Sequence, residues 1–350
     1  MSSIGALGNR ARRRLAAALV AAAVVAGGLV AAAGARPDLE LAPIGPESLL
    51  ASVIERARSG EPVSGTVSAA VDLGLPVQQL PGASGLGALL GPHDLRVWHS
   101  ADGLRVADLL VAGERALVIG EDGAWWWDSE TFTARRLTRE VDARLGALEI
   151  AAGLVDPRAV SSLALGALEE TTRVRLADPK IVAGRPAYVL VLEPRTTETL
   201  IARIEIGVDA DERVPLEIQI FGRGYDESSL KAGFASISFE PIEPSTFWFT
   251  PPEGAKSEAE SQNGSGVFDV LGGGDAANRA PRILGRGWTT VAALPMPARE
   301  SSSEEDPGPD PFPFTSPLLS ADVVESDRGS WLLVGAVPID ALRAQAGRLP

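Results

Sequence analysis

The sequence predicts a mainly β fold with some α-helix (α+β), in which one large antiparallel sheet of about 11–12 strands carries helices over one face. Three observations lead to this prediction. Short alternating segments separated by turn residues recur through 64–138 and again through 171–252. Their connections are too short for the crossover helices that a parallel sheet needs. A one-sided apolar helix precedes the first strand, and a second helical stretch, 140–170, interrupts the series.

The first predicted helix spans Pro46–Ser59 and is followed by Gly60, a common helix stop. Its apolar residues recur at helical spacing: Leu49, Leu50, Val53 and Ile54. Within the stretch 140–170, Asp156 fits an N-cap and Pro157 fits the first helical position. Apolar stripes of this kind normally pack on a sheet, so we expect both helices to cover it.

Turn residues separate the predicted strands. Asp122-Gly123 is a strong hairpin signal between two of them, and 209–213 is a second turn. The predicted strands are 64–73, 93–100, 103–111, 114–120, 124–128, 132–138, 171–178, 185–195, 200–210, 214–222, 231–242, 246–252 and 288–296.

The composition excludes several classes of function. The net charge of −14 repels phosphates, so nucleic acid is not an expected partner. The chain has no cysteine, which excludes disulfides, thiolate nucleophiles and a lipidated cysteine. Its two histidines, His93 and His99, lie roughly 20 Å apart along one strand at about 3.3 Å per residue, too far to share a metal. We expect no metal and no cofactor.

Catalytic motifs are absent from the sequence. No G-x-S-x-G, H-E-x-x-H or phosphate-binding P-loop occurs. The glycine-rich runs 82–91 and 270–275 lack the preceding strand and following helix that a phosphate loop needs. The sequence therefore predicts a protein that is not an enzyme and has no catalytic residues.

The N-terminus, 1–38, predicts a signal peptide or an N-terminal membrane anchor. A basic region is followed by an unbroken apolar run that ends in a cleavage-type sequence: Arg10, Arg12, Arg13 and Arg14, then Leu15 to Ala35, with Ala33-Gly34-Ala35 at the end. The run has about the 20 residues that a membrane helix needs, so cleavage and a retained anchor both stay open. Either one places the globular part outside the cytoplasm, secreted or anchored to the cytoplasmic membrane, because the arginines remain inside.

The character of the sequence changes after the main strand series, which we assign to a domain at 39–256. The segment 257–284 is rich in Gly, Asn and Ser and predicts a flexible connector. Within the C-terminal region 285–350, an acidic, proline-rich linker at 298–317 separates one strand from a hairpin and a short helix. An isolated hairpin is marginally stable, so these strands either join the main sheet or form a small C-terminal module.

Several strands have two apolar faces. In RPAYVLVLEPR, alternate side chains point to opposite faces: Ala187, Val189 and Val191 to one, and Tyr188, Leu190 and Leu192 to the other. In the triple tryptophan, Trp125 and Trp127 share a face and Trp126 takes the other. A sheet with one solvated face would have polar residues at half of these positions. The sequence leaves open whether a cavity or plain side-chain packing lies against the sheet.

The strand segments also resemble a known family. The segments that carry the resemblance are SGTVSAAVDLGLP, HDLRVWHSADGLRVADLL, EDGAWWWDSETFTARRL, DPRAVSSLALGALEETTRV, VAGRPAYVLVLEPR, ARIEIGVDADERVPLEIQIFG and FWFTPPEGAK. In this order, over roughly residues 45–256, they resemble the periplasmic lipoprotein-carrier superfamily of LolA-like proteins. RseB-like and MucB-like sensors and LppX-type lipid binders are relatives within it. The chain is most similar to secreted or membrane-anchored LolA-like proteins of high-GC Gram-positive bacteria.

The resemblance implies a half-barrel, in which helices cover the concave face of a strongly curved antiparallel sheet as a lid. It implies a hydrophobic cavity that binds lipid or lipoprotein acyl chains without catalysis, for carriage or transfer. The alternative is an RseB-like envelope-stress sensor that acts on a membrane signalling partner. In either case the outer face of the cytoplasmic membrane is an expected partner.

Candidate site residues follow from the faces and the resemblance. The lipid-cavity candidates are Leu50, Ile54, Val106, Trp125, Trp127, Leu163, Val189 and Val191. We expect Trp125 and Trp127 to face the helix-covered side, where a lipid would lie. The resemblance also implies a basic residue that latches the lid, for which Arg96, Arg105 and Arg185 are all candidates.

Overall fold

A computed structural model gives the fold. It describes residues 39–71, 93–110, 113–137, 170–258, 282–296, 312–326 and 329–349. The predictions for the signal or anchor, for nearly all of the helical stretch 140–170, and for most of the connector and the acidic linker lie outside these residues. The chain divides into two compact units, Met1–Glu40 and Leu41–Pro350, and the helices and strands of the described residues all lie in the second.

The helix α1 spans Pro46–Ser59, the bounds that the sequence predicts. Pro46 stands in the first turn, where no backbone N–H donor is needed. Gly60 ends the helix in the left-handed conformation, with a φ of 69°. Arg56 and Arg58 lie in the last turn, where positive charge interacts favourably with the helix dipole.

The larger sheet contains 12 strands. They are β1 Val63–Val71, β2 His93–Ser100, β3 Gly103–Leu110, β4 Gly113–Gly120, β5 Gly123–Asp128, β6 Thr133–Leu137, β7 Thr172–Val182, β8 Arg185–Pro194, β9 Ile201–Asp209, β10 Pro215–Gly222, β11 Ser228–Ser238 and β12 Lys256–Glu258. Their order is β12-β6-β5-β4-β3-β2-β1-β11-β10-β9-β8-β7. Neighbours are antiparallel except β12, which runs parallel to β6. Among the described strands the edges β12 and β7 do not pair, so the sheet is not closed.

The larger sheet is strongly curved between β11 and β7. Three strands separate these two, and a flat sheet would hold them about 19 Å apart, four spacings of about 4.8 Å. Their closest Cα atoms nevertheless lie within 8 Å of each other. The Lys180 side chain also reaches across two strands: it passes over Gly207 and pairs with Glu217, which joins β7 to β10.

The segment 246–252, predicted as a strand, is not one. It begins in a 3₁₀ turn, Pro244–Phe247, and continues without regular secondary structure. Its two prolines, Pro251 and Pro252, have no N–H to donate to a strand ladder. The ring of Phe249 instead packs on the sheet, 5.6 Å from the ring of Trp125 and 5.9 Å from that of Trp127. Aromatic packing on a sheet face replaces main-chain pairing here.

The C-terminal region forms a second, separate sheet of five strands. They are β13 Arg282–Leu284, β14 Val291–Pro295, β15 Phe314–Thr315, β16 Ser320–Ser326 and β17 Gly329–Gly335, in the order β13-β14-β17-β16-β15. The helix α2, Ile339–Ala344, packs on it through Leu342, in one cluster with Trp331 and Leu333. The tail strands therefore do not join the larger sheet.

Cross-strand pairs define two faces of the larger sheet. One row of directly paired residues crosses β8, β9, β10, β11 and β1: Leu190, Ile206, Ile218, Ala232 and Ala69. On β1, Gly65 and Ala69 share a face, and Gly65 begins a second row through β2 to β5: Val97, Val106, Leu117 and Trp126. Because α1 packs against Leu190 and Ile206, we call this side the helix-bearing face, and the other the opposite face.

Candidate functional site

The helix α1 forms an apolar cluster on the helix-bearing face. Its side chains Leu49, Leu50 and Val53 are buried and pack against strand residues: Tyr188, Leu190, Leu192, Ile204, Ile206 and Val208. The Tyr188 hydroxyl donates a hydrogen bond of 2.8 Å to the carbonyl oxygen of Ala42, just before the helix. Burial of each such aliphatic side chain contributes about 1.5–3 kcal/mol, so these contacts fix the helix on the sheet.

A second apolar cluster includes residues of the same face on β1 to β4, together with side chains from β7, β8, β10 and β11. Its fully buried members include Val67, Val97 and Val106, and Trp126 packs against its edge. In the described chain, this cluster contains no residue of α1. Ile218 packs against both clusters, so together they form one continuous apolar face.

On the helix-bearing face, near the place where the two clusters meet, three side chains are not fully buried. Ile218, Ile220 and Leu230 remain partly exposed there, although all three are large and apolar. Ala232 lies beside Ile218, and Ala69 lies beside Ala232, so the row ends in its two smallest side chains, which are both buried. We call these five residues the seam. The seam is therefore apolar throughout and partly exposed at its larger side chains.

The sequence did not single out the seam. Alternation in VPLEIQIFG places the side chains of Ile218 and Ile220 on one face. Their meeting with Ala69 and Ala232 depends on strand pairing between distant parts of the chain. That pairing is not visible in a single sequence.

The predicted cavity residues are not all brought together. Leu50 and Ile54 of α1 contact the first cluster, and Val106 belongs to the second, so these three share the helix-bearing face. Val189 and Val191 are buried but alternate with Leu190 and therefore point to the opposite face. Leu163 lies outside the described residues.

The tryptophans divide between the faces as predicted, but in the reverse sense. Trp125 and Trp127 share a face, and Trp126 takes the other. It is Trp126, however, that belongs to the helix-bearing face, while Trp125 and Trp127 pack against Phe249 on the opposite face. The physical reason is that the segment after Phe247 packs on the opposite face of β4 to β6, which alternation alone does not reveal.

The three latch candidates have different environments. Arg185 forms an ion pair with Asp209. Arg105 pairs with Glu114 at 3.4 Å and donates to the carbonyl oxygen of Thr246 at 3.5 Å. Arg96 is exposed on the opposite face, on β2.

Asp209 is a buried carboxylate at the end of β9. It accepts hydrogen bonds from Arg185 and from the backbone N–H groups of Asp211 and Glu212, both at 2.9 Å. Burial by itself raises the pKa of Asp209, but the hydrogen bonds from Arg185 and from the two backbone groups more than offset this, so the pKa lies below its ordinary value. Asp209 is therefore ionised and holds the turn between β9 and β10 together.

Glu217 is a second buried carboxylate, on the opposite face. It pairs with Lys180, with Lys231 at 3.0 Å, and accepts a hydrogen bond of 2.5 Å from the Gln219 amide. Burial raises the pKa of Glu217, while the hydrogen bonds from Lys180 and Gln219 lower it by more, so the pKa lies below its ordinary value. These partners join β7, β10 and β11.

The described part of the chain lacks two kinds of feature. No group of three or more His, Cys, Asp or Glu side chains there is arranged to hold a metal ion. No helix within the described ranges is both long and apolar enough to span a membrane.

Comparison with known proteins gave matches among solved structures. No protein-family model matches the chain, and no curated protein matches it. The complex of MucA and MucB from Pseudomonas aeruginosa is 14% identical, covers 85% of this chain and 96% of its own, and has a TM-score of 0.46. The lipoprotein LppX from Mycobacterium tuberculosis is 11% identical and covers 56% of this chain and 97% of its own, with a TM-score of 0.32.

A LolA superfamily protein from Nitrosomonas europaea is also similar. It is 11% identical, covers 59% of this chain and 99% of its own, and has a TM-score of 0.25. The solved structures to which the chain is similar thus include MucB, LolA superfamily and LppX proteins, the groups that the sequence resemblance names.

Proposed function

We propose that this protein binds acyl chains of lipids or lipoproteins outside the cytoplasm, without catalysis, and serves in their carriage or transfer. The observation that carries the proposal is the seam, where Ile218, Ile220 and Leu230 stay partly exposed on the apolar face. An acyl chain lying there contacts apolar side chains only. The predicted half-barrel, with helices covering a concave face as a lid, is part of this proposal, and the strong curvature between β11 and β7 supports the half-barrel.

The free energy of transferring an acyl chain from water explains why such a protein needs no reactive group. Removing an acyl chain of about 16 carbons from water is favourable by about 0.8 kcal/mol per CH₂, on the order of 10 kcal/mol. A membrane offers nearly the same free energy. Transfer between membrane and protein is therefore close to balanced, and small rearrangements of the cover over the apolar face decide loading and release.

Titration of the full chain with a fluorescent long-chain fatty acid tests the proposal. We expect saturable binding with a blue shift of the probe, because the seam excludes water. Lipid extraction from the purified protein should also recover acyl species. Repeated recovery of empty protein, together with no uptake of the probe, refutes acyl binding.

A second candidate function is an envelope-stress sensor that responds to acyl chains and acts on a membrane signalling protein through its C-terminal sheet. The observation that favours it is a direct connection between that sheet and the apolar face. The Trp288 indole packs against the α1 cluster, and its Nε1 donates a hydrogen bond of 2.9 Å to Thr172 Oγ1. The Thr199 hydroxyl and the Leu200 N–H both donate to the carbonyl oxygen of Ala336, at 2.7 and 2.8 Å.

Hydrogen exchange of the full chain distinguishes sensing from carriage. If the C-terminal sheet reports on the ligand, saturation with a fatty acid slows amide exchange in β14 and β17 as well as in β8 to β10, because Trp288 couples the two sheets. The Trp288→Ala variant should keep the change in the larger sheet and lose it in the second. A response confined to the larger sheet of the wild-type protein rules out the sensor and leaves a carrier.

A further inference from the structure

An unpaired arginine lies at the turn between β9 and β10. Arg213 has a φ of 60°, in the left-handed region that residues other than glycine rarely adopt. Its guanidinium carbon lies 5.2 Å from the centre of the Tyr188 ring. A cation over an aromatic face in this way is held in position by the ring.

The guanidinium of Arg213 has no anionic partner among the described carboxylates. Its Nη1 is buried and donates no hydrogen bond. Asp209, the nearest buried carboxylate along the chain, already forms an ion pair with Arg185. Asp211 points to solvent, with its side chain 80% exposed. A buried charged donor without an acceptor costs free energy, and the binding of an anion would remove that cost.

The position of Arg213 relates it to the apolar face. Tyr188, which carries the guanidinium, is a member of the α1 cluster on the helix-bearing face. Along β10, Ile218 and Ile220 of the seam follow Arg213 by five and seven residues. Seven residues of strand span at most about 23 Å, at about 3.3 Å per residue. One end of the apolar face thus carries the guanidinium of Arg213, in a turn that also holds Asp209, Asp211 and Glu212, at a distance from the seam that an extended acyl chain can bridge.

We propose that Arg213 binds the anionic head group, a carboxylate or a phosphate, of the acyl ligand whose tail lies in the seam. This inference rests on the proposed acyl-binding function and adds the polarity of the ligand and its direction in the site. The guanidinium forms charge-assisted hydrogen bonds with the anion, and the Tyr188 ring keeps it in place. In a chain with a net charge of −14, the selection of an anionic ligand requires a local cation of this kind.

The test compares an anionic probe with an uncharged one on the full chain. The probes are a fluorescent long-chain fatty acid and its methyl ester. The Arg213→Asn variant keeps a residue that tolerates a positive φ, so the turn is preserved while the charge is lost. We expect it to weaken binding of the acid by about tenfold or more, and to leave binding of the ester nearly unchanged. The control, Arg173→Asn, removes an arginine whose side chain is 63% exposed on the opposite face, on β7, and should alter neither probe.

The possible results separate this inference from the proposed function. If the wild-type protein binds neither probe, acyl binding itself is refuted, and the head-group site with it. If it binds both, and Arg213→Asn weakens both equally or neither, acyl binding stands and the head-group site is overturned. Inorganic phosphate serves as a competitor. If phosphate displaces the acid but not the ester, the site binds free anions as well. If it displaces neither probe, the site binds only head groups that are joined to a tail.

Discussion

Replacement of Ile218 by glutamate is expected to lower the affinity for a fluorescent fatty acid by about 200-fold, the equivalent of four methylene contacts at about 0.8 kcal/mol each. Ile218 packs against both apolar clusters and is partly exposed between them, so a carboxylate at this position lies where the acyl chain would lie. The uncharged variant Ile218→Trp fills the same space and should also weaken binding.

The matched control is Ser236→Glu, which adds the same charge to an exposed position on β11. Ser236 pairs with Thr66, and its side chain points to the opposite face. It should leave the affinity unchanged. Urea unfolding of each variant shows whether the sheet is intact. Equal binding by wild-type protein and folded Ile218→Glu would remove the seam from the acyl site.

Replacement of Asp209 by alanine is expected to lower the free energy of unfolding by about 3 kcal/mol at neutral pH. The change leaves Arg185 without its ion-pair partner and two backbone N–H groups of the turn without an acceptor. The Asp209→Asn variant keeps an oxygen that accepts from the turn and loses the charge, so its loss should be about half as large. Urea denaturation measures both.

The same variants predict the pH dependence of stability. The folded-state pKa of Asp209 lies below its ordinary value, so the stabilisation is fully present above the unfolded-state pKa of about 3.9. It is lost as the pH falls through the folded value. The difference in unfolding free energy between wild type and Asp209→Asn should therefore be constant near neutral pH and shrink in acid. A difference that grows in acid contradicts an ionised, hydrogen-bonded Asp209.

Local sequence signals predicted the elements of the fold well. The spacing of apolar residues and the stop at Gly60 predicted α1 with its observed bounds. Asp122-Gly123 predicted the hairpin between β4 and β5, which the pairing of Gly120 with Gly123 confirms. Both features depend on residues that are neighbours in the chain, where propensity and turn chemistry act directly.

Features that depend on distant partners could not be predicted in this way. Alternation showed that Trp125 and Trp127 share a face, but the choice of face follows from packing of Phe249, more than 100 residues further along. For the same reason, 246–252 was predicted as a strand although it packs on the sheet through its rings. The seam and the position of Arg213 could not be predicted from the sequence. Both depend on the register between distant strands, which places the α1 cluster, the alanine pair and the turn after β9 on one face of the sheet.

Photo-crosslinking with a diazirine-labelled fatty acid tests the central claim most directly, because it reports which residues touch the acyl chain. The full chain is labelled, digested and mapped by mass spectrometry. We expect crosslinks in the peptides of β10 and β11 that carry Ile218, Ile220 and Leu230, and in α1, which packs on the same face. Crosslinks concentrated at Trp125, Trp127 and Phe249 would place the ligand on the opposite face and contradict the account.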